Sequence, residues 1–457
     1  MNLFQIAWKN IRQRGLASAM TMLSMALGVA LVVIVLSIGW VVTESFSRNS
    51  NVGYNLIVGA KGGALQLTLN TVFYLSKPIE VLPYEKYLDF LPGDDRQEEI
   101  KKIGGRIAEP DKRGKYSPYM GGGFALPVCL GDYFGQYRVV GTKPEFFEYL
   151  KYGEMGEFDY EFAEGRNFLE HSPDHGYFEA VLGAQVAQTM NKRVGDSLNT
   201  THGDPEGEGH GQPFQVVGVL KPTGTPNDRA VFINLEGFYL MEGHARAFQD
   251  QTNPDELKVD VAREGEFAEQ PDRLPLHQRD VTAILVKPGR GLFAMRMQQE
   301  IKKLPNAQAT SPVDQITNLF SSFVDPIRSA LLVLTSVVCA VSAVSILVSI
   351  YNSMSERKRD IAVMRALGAR RDLVFSIILV ESILIALGGG FLGWFAGHAI
   401  ATAASPMVEY RTGVRVYWTT ISSTELWIVP GLVLLAVLAG IIPAFVAYRT
   451  DVSKSLN

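Results

Sequence analysis

Residues 329–354 read SALLVLTSVVCAVSAVSILVSIYNSM, and residues 355–371 continue SERKRDIAVMRALGARR. The first piece carries no charge; the second is crowded with arginine. A bilayer hydrocarbon core is crossed by about 20 helical residues, so Ser329–Met354 reads as a transmembrane helix ending at a polar membrane face. Three other runs share its character. Ala17–Thr43 and Leu426–Tyr448 are uncharged, and Leu373–Met407 holds only one acid, Glu381, and one histidine, His398. That run is long enough to span with tilt or a break, and Gly388-Gly389-Gly390 is the expected place for irregularity.

The remaining composition is that of a folded globular region. The 457 residues are 47% hydrophobic and 10% aromatic, which excludes disorder. The two cysteines, Cys129 in polar sequence and Cys339 inside an apolar run, cannot meet in a disulfide. The first apolar run is about twice the length of a signal-peptide core and lacks a small-x-small cleavage site, so it reads as an uncleaved anchor.

Orientation follows from the flanking basic residues. Lys9, Arg12 and Arg14 precede the first span; Arg357, Lys358, Arg359, Arg365, Arg370 and Arg371 follow the second; Arg449 and Lys454 follow the fourth. The loop 405–425 has only Arg411 and Arg415. Both termini and the 355–372 loop are therefore expected in the cytoplasm, at an inner (plasma) membrane, with residues 44–328 outside. The expected order is an amphipathic surface helix over 1–16, spans at 17–43, 329–354, 373–404 and 426–448, an external domain over 44–328, a cytoplasmic helix over 355–372, a short external loop over 405–425 and a tail over 449–457. Phe4, Ala7, Trp8 and Ile11 follow helical spacing, with basic residues at polar positions, which suits a helix lying on membrane lipid.

Residues 44–328 hold 40 acidic and 30 basic residues, a net charge near −10. That excludes a nucleic-acid partner. Strands are expected at Asn55–Val58, Tyr137–Val140, Ala180–Leu182, Phe214–Leu220, Ala230–Asn234 and Val281–Lys287. Thr142-Lys143-Pro144-Glu145 resembles a capping box opening a helix. Phe293, Met297, Ile301 and Leu304 line one face of another helix, which Pro305 ends. Residues 90–123 and 244–280 read as long surface excursions. The fold class is thus an α-helical membrane protein with four transmembrane helices and a large extracytoplasmic α+β domain inserted between helices 1 and 2.

No nucleotide loop is visible. The only Gly-Lys pair, Gly114-Lys115, is followed by Tyr116, and Glu109 stands where the first glycine belongs. Gly-x-Ser-x-Gly and His-Glu-x-x-His are absent as well. The chain reads as non-catalytic. In the 355–371 stretch, Ile361, Met364 and Leu367 are apolar positions that need a covering partner, and Gly368 suits a helix C-cap. A basic loop resting on anionic lipid accounts for the arginines but not for these apolar residues.

The segment Glu356-Arg-Lys-Arg-Asp-Ile-Ala-Val-Met-Arg-Ala-Leu-Gly-Ala369, with Glu381 after it, resembles the permease family that includes FtsX, the macrolide exporter MacB and the lipoprotein-releasing permeases. Pro443-Ala-Phe-Val-Ala-Tyr-Arg449 resembles that family's ending. Gly141-Thr-Lys-Pro-Glu-Phe-Phe147, Val181-Leu-Gly-Ala184, Val194-Gly-Asp-Ser-Leu198 and Phe214-Gln-Val-Val-Gly-Val-Leu220 resemble its MacB-like periplasmic core domain. The resemblance implies a homodimer, or a pseudo-symmetric heterodimer, of permeases working with two copies of a separate cytoplasmic ABC ATPase. Glu356, Arg357, Arg359, Asp360, Ile361, Met364, Arg365, Leu367 and Gly368 would then form the ATPase-coupling helix. ATP and Mg would sit on that partner, with no cofactor on this chain. The implied action is mechanotransmission: nucleotide-driven rocking of the spans that moves the external domains, with a periplasmic adaptor or substrate protein as a further partner. Export or extraction of lipoproteins, peptides or other amphiphiles fits this plan; so do an FtsX-like regulator of a cell-wall hydrolase, a metal-handling component and a ligand sensor.

Three polar features remain. Glu381 is either a structural acid near the cytoplasmic face or part of an ion relay, and a lone acid favours the former. His398 reads as interfacial packing. His202 and His210 bracket the acidic, glycine-rich 203–209 and are weak metal-ligand candidates, while Pro173 works against a helical His171/His175 pair. Cys129 reads as a buried small hydrophobe.

Overall fold

Among the described residues, the computed structural model has four helices long and apolar enough to cross a membrane, Gly15–Trp40, Pro312–Asn352, Arg371–Met407 and Thr424–Val446. A mixed α/β domain lies between the first and the second in sequence. The structure describes residues 3–50, 53–103, 113–246, 273–356, 369–412 and 423–449, apart from 76, 78, 79, 154, 155 and 208, with the short pieces 248–249, 257–258, 363, 418 and 421. The chain divides into two compact units, Met1–Ser45 with Phe320–Asn457, and Phe46–Leu319.

The membrane unit is built from α1 (Leu3–Gln13), α2 (Gly15–Ser50), α3 (Asp325–Glu356), α4 (Arg371–Thr412) and α5 (Ile428–Arg449). Helices that share lipid with their partners gain little from hydrophobic burial and hold together by close packing and hydrogen bonds. The glycines supply the packing. A Cβ on Gly389 would lie 2.7 Å from the Met22 carbonyl oxygen, one on Gly393 2.4 Å from that of Ala26, and one on Gly397 2.8 Å from Val33 Cβ. These positions, four apart, form a smooth stripe along which α2 lies on α4. Helix α4 runs unbroken through Gly388-Gly389-Gly390 and on to Thr412, so the expected irregularity is absent and the 405–425 loop is helical at its start. The glycines remove bulk here rather than hydrogen bonds. Polar contacts add to this: Ser342 Oγ donates to the Ser24 carbonyl (3.0 Å), and Arg14 Nη1 to the Ser349 carbonyl (3.1 Å).

Helix α1 forms as its periodicity demands, but its apolar face is split. Ala7 and Ile11 are buried, and Ile11 joins the core with Met25, Ile350 and Ile378. Phe4 and Trp8 are more than half exposed, as are Leu27 on α2, Val337 on α3, Phe391 on α4 and Leu434 on α5. Large apolar side chains facing outward on spanning helices are what lipid requires.

The second unit, Phe46–Leu319, called the head below, is organised on a ten-stranded sheet. Its strands are β1 (Leu56–Ala60), β2 (Phe124–Phe134), β3 (Tyr137–Thr142), β4 (Phe162–Gly165), β5 (Glu179–Leu182), β6 (Ser197–Leu198), β7 (Phe214–Leu220), β8 (Ala230–Asn234), β9 (Ala283–Lys287) and β10 (Ala307–Thr310). The spatial order is β10-β1-β9-β2-β3-β8-β5-β7-β4, with β6 beside β7. The pairs β8–β3 and β7–β5 are parallel; the others are antiparallel. Central strands β5 and β8 are buried along their whole length, as a sheet covered on both faces requires.

Two expectations fail locally. Thr142 does not cap a helix. The short helix Phe146–Tyr149 begins after Glu145 without a side-chain cap, and the Thr142 hydroxyl donates to the Pro127 carbonyl (3.0 Å) because Thr142 is the last residue of a central strand. The described part of the 90–123 stretch is not a surface excursion either: Gly93–Ile103 is a helix, and Phe90, Ile100, Ile103 and Tyr116 belong to the head's core, while 104–112 lie outside the described residues. The helix Gly291–Lys302 forms as expected, with Met297 and Ile301 buried.

Candidate functional site

Strand β2 breaks its own regularity where a buried polar cluster begins. Against β3, Cys129 pairs with Gly141 and Leu130 with Val140, but Tyr133 then pairs with Arg138, so one extra residue is accommodated between Leu130 and Tyr133. Such a β-bulge re-aims the side chains within it. Asp132 lies in this bulge and is fully buried.

Two further segments converge on it. Tyr133 and Thr201 exchange backbone hydrogen bonds (3.0 and 2.8 Å), and the His210 amide donates to the Thr200 carbonyl (2.9 Å). These clamp the hairpin 200–210 onto β2 and place His202 and His210 beside Asp132. The hairpin's return needs Gly207, where a Cβ would lie 2.4 Å from the His202 carbonyl oxygen. The second segment is the turn after the helix Leu235–Leu240. Gly243, at φ +83°, turns the chain, and His244 packs edge-on against Phe238, ring centroids 4.3 Å apart.

The resulting geometry is tight. Asp132 Oδ2 lies 3.0 Å from His210 Nε2 and 3.2 Å from His244 Nε2, and the two Nε2 atoms are 3.3 Å apart. His202 Nδ1 lies 3.4 Å from Asp132 Oδ1. One ligand-type atom from each of the four residues lies within 4.8 Å of every other. His210 and His244 are nearly buried, whereas the His202 side chain is 55% exposed and forms the open side. Burial alone would raise the Asp132 pKa, but the hydrogen bonds from His210 and His244 outweigh it and hold the carboxyl at about 2. Burial pushes His244 below its ordinary value, against the pull of Asp132. Arg138, buried over the Tyr133 ring at 4.2 Å, also feels the Asp132 charge and partly offsets it.

The sequence points to His202 and His210 by their spacing, and the structure brings those two together. It gives no comparable signal for His244, or for Asp132 beyond an acid inside an apolar run. His175 lies in a turn closed by Ser172 and Gly176, and His171, just before that turn, packs on Tyr177 (4.8 Å). Cys129 is buried, its Sγ 3.4 Å from both Tyr239 Oη and the Asp280 carbonyl oxygen.

A second polar feature is a cleft of about 670 Å³ whose lining includes Tyr87, Glu99, Lys143, Glu145, Glu170 and Arg273. Its floor is wired internally: Glu99 accepts from Tyr84 Oη (2.6 Å) and Lys143 Nζ (2.8 Å). In the membrane unit Glu381 is buried on α4. His398 is more than packing. Its Nε2 lies 3.0 Å from Glu425 Oε2, which also accepts from Trp394 Nε1 (3.3 Å), while Ser37 Oγ donates to Oε1 (3.2 Å). The coupling residues Arg357, Arg359, Asp360, Ile361, Met364, Arg365, Leu367 and Gly368 lie outside the described residues, and Glu356 is described only as the last residue of α3.

Comparison with known proteins gives the architecture a name. The MacB-like periplasmic core domain matches residues 18–270, and the FtsX-like permease C-terminal domain matches residues 332–452. A protein of Methanocaldococcus jannaschii named as an ABC transporter permease is 22% identical over 98% of this chain and 95% of its own length. A macrolide export ATP-binding/permease protein MacB of Rhodopirellula baltica is 24% identical over 61% of this chain, which spans 42% of that relative. A syringafactin export ATP-binding/permease protein of Pseudomonas syringae is 26% identical over 40% of this chain and 27% of its own length. The chain belongs to the family of ABC transporter permeases that combine a MacB-like periplasmic core domain with an FtsX-like permease domain.

Proposed function

We propose that this chain is the membrane subunit of an ABC-type complex that converts ATP hydrolysis on a separate cytoplasmic ATPase into movement of its external head. The observation that carries the reading is similarity over nearly the whole of both chains to a protein named as a permease, beside the matches of both family domains on this chain. The working unit in this reading is a permease dimer with two ATPase copies; ATP and Mg belong to the ATPase. Both termini and residues 355–372 face the cytoplasm, by the basic flanks. Residues 356–369 dock on the ATPase through Ile361, Met364 and Leu367, and Arg357, Arg359 and Arg365 flank that apolar row. Phe4 and Trp8, exposed on α1, rest in the lipid boundary.

Relatives named for macrolide and syringafactin export favour amphiphilic cargo, moved or extracted at the outer membrane face. Regulation of a cell-wall hydrolase without transport uses the same moving parts and is the second reading. Co-purification of the ATPase from detergent extracts tests the docking. Met364→Asp and Leu367→Asp are expected to abolish it while the permease still inserts in the membrane. Normal co-purification of both variants would sink the assignment, and labelling of residues 202 and 357 from the same side would sink the orientation.

A further inference from the structure

We propose that Asp132, His202, His210 and His244 form a binding site for one zinc-class divalent transition-metal ion in the head. The inference is independent of the ATPase partner and adds an ion to a chain expected to hold no cofactor.

Zinc takes four ligands tetrahedrally, with imidazole nitrogen or carboxylate oxygen about 2.0–2.1 Å away, which sets neighbouring ligand atoms about 3.3–3.4 Å apart. The spacings here are 3.0, 3.2 and 3.3 Å among Asp132 Oδ2, His210 Nε2 and His244 Nε2. Three ligand atoms therefore already stand close to one triangular face of that tetrahedron. His202 reaches in from the hairpin with a ligand nitrogen 3.4 Å from Asp132 Oδ1, inside the 4.8 Å that holds all four ligand-type atoms, and is the donor available for the fourth corner.

Hydrogen bonding alone accounts poorly for the same arrangement. Two buried imidazole nitrogens point at each other and at one carboxylate oxygen, so protons must be shared among three atoms. Asp132 Oδ1, meanwhile, is buried with no hydrogen-bond partner among the described residues. A cation at the centre satisfies the converging lone pairs at once. Three imidazoles and one carboxylate favour zinc or its neighbours nickel, cobalt and copper over magnesium and calcium, which take oxygen ligands. The ligands come from a β-bulge, a hairpin and a post-helical turn. One ion would fasten those three segments together, and the exposed His202 gives it a path in and out.

The test uses the full chain in detergent, carrying a histidine-free affinity tag, stripped with chelator and titrated with zinc against a chromophoric competitor. One zinc per chain is expected, with a rise in melting temperature that magnesium and calcium do not produce. Cobalt(II) in place of zinc is expected to give the intense visible absorption of a four-coordinate site. Asp132→Asn, which keeps the side-chain shape, should weaken binding more than about tenfold, and the double variant His210→Ala/His244→Ala more than about 100-fold. His202→Ala should leave a weaker three-ligand site, and His171→Ala should change nothing. Melting of the metal-stripped variants at the metal-stripped parent's temperature separates ligand loss from misfolding, and Asp132→Asn carries the test if the double variant fails to fold. Equal zinc binding by the parent and by Asp132→Asn, or a weak six-coordinate cobalt spectrum, would overturn the proposal.

Discussion

The guanidinium of Arg279 and the carboxylate of Glu236 meet in a buried two-point fork, Nη1 to Oε1 at 2.8 Å and Nη2 to Oε2 at 2.5 Å, across 43 residues of sequence. Arg279 is fully buried, its Nε donates to the Leu274 carbonyl, and its charge lies 5.5 and 5.0 Å from the ring centres of Tyr84 and Tyr239. A fork of this kind aligns the helix Leu235–Leu240 with the segment entering β9. Removing one member strands the other charge in a medium that solvates it poorly, a loss of about 3–5 kcal/mol. Arg279→Met should therefore lower head stability by about that amount, and Arg279→Met/Glu236→Leu should recover much of it. Tyrosine near-ultraviolet circular dichroism is the suitable readout, because all five tryptophans lie outside residues 46–319. A single variant as stable as the parent would contradict the assignment.

The Glu99–Lys143 pair sets a pH window. Burial opposes the charge on both, yet for Lys143 the attraction of Tyr87 and Glu99 outweighs it and raises the pKa. For Glu99 the pull of Lys143 and the Tyr84 hydrogen bond outweigh burial and lower it. A lowered carboxyl contributes stability above its unfolded pKa of about 4.3 and loses it as pH falls through the folded value. A raised amine contributes below its unfolded pKa of about 10.4 and loses it as pH rises through the folded value. Lys143→Met should thus cost about 3 kcal/mol, steady from about pH 5 to 9 and shrinking below about pH 4. Denaturation at several pH values measures this; a penalty that varies across the neutral range would exclude the pair as its source.

Cys129 offers a chemical check on the sheet core. Burial pushes its thiol up to about 12, against hydrogen bonds with Tyr239 and the backbone. The thiolate is the reactive form, so iodoacetamide at pH 8 should leave Cys129 unmodified in the folded chain and modify it rapidly in denaturant. Peptide mass analysis distinguishes it from Cys339. Labelling of Cys129 at similar rates in both states would place β2 outside the core.

How much of this was readable in advance follows from what each residue must satisfy locally. The spans were legible because a bilayer imposes length and polarity on every crossing segment. Phe214–Leu220 and Ala230–Asn234 were legible to the residue because buried central strands are short, apolar and β-branched. Strand β2 was hidden, since Pro127 and Gly131 look like breakers; in the fold Pro127 sits opposite Ile284 with its carbonyl taken by Thr142, and Gly131 stands in the bulge. β10, reading Ala-Gln-Ala-Thr, carries too little apolar signal to stand out. The metal-type cluster was half legible. His202 and His210 belong to one hairpin, but Asp132 and His244 join them through the Tyr133–Thr201 pairing and a turn after Leu240, which are tertiary facts. Glu425 was missed for a related reason: nothing near it in sequence announces His398 as its partner.

The glycine stripe of α4 predicts a graded response to added bulk. At Gly393 a Cβ falls 2.4 Å from the Ala26 carbonyl oxygen and 2.8 Å from Val29 Cβ, so α2 must move away. At Gly431 in α5 it meets nothing within 4 Å among the described residues. Overpacking of this kind costs about 1–3 kcal/mol. Gly393→Val should lower the detergent melting temperature and the folded yield, whereas Gly431→Val should leave both unchanged. Equal behaviour of the two would mean that α2 does not lie on that face.

The Glu425 carboxylate answers three donors from two helices: Ser37 on α2, and Trp394 and His398 on α4. The carboxylate and the imidazole are both nearly buried, with side-chain exposures of 1% and 2%. Buried polar groups stripped of a partner retain their desolvation cost. Glu425→Ala should therefore destabilise the membrane unit by about 3 kcal/mol, while Glu425→Gln, which still accepts from one or two donors, should lose less. Trp394 reports the change directly, since its indole N–H donates to this carboxylate. Tryptophan emission should shift in Glu425→Ala and in His398→Ala, more strongly in the first. An unaltered spectrum and melting temperature in Glu425→Ala would show that the 423–427 segment does not pack on α4 as described.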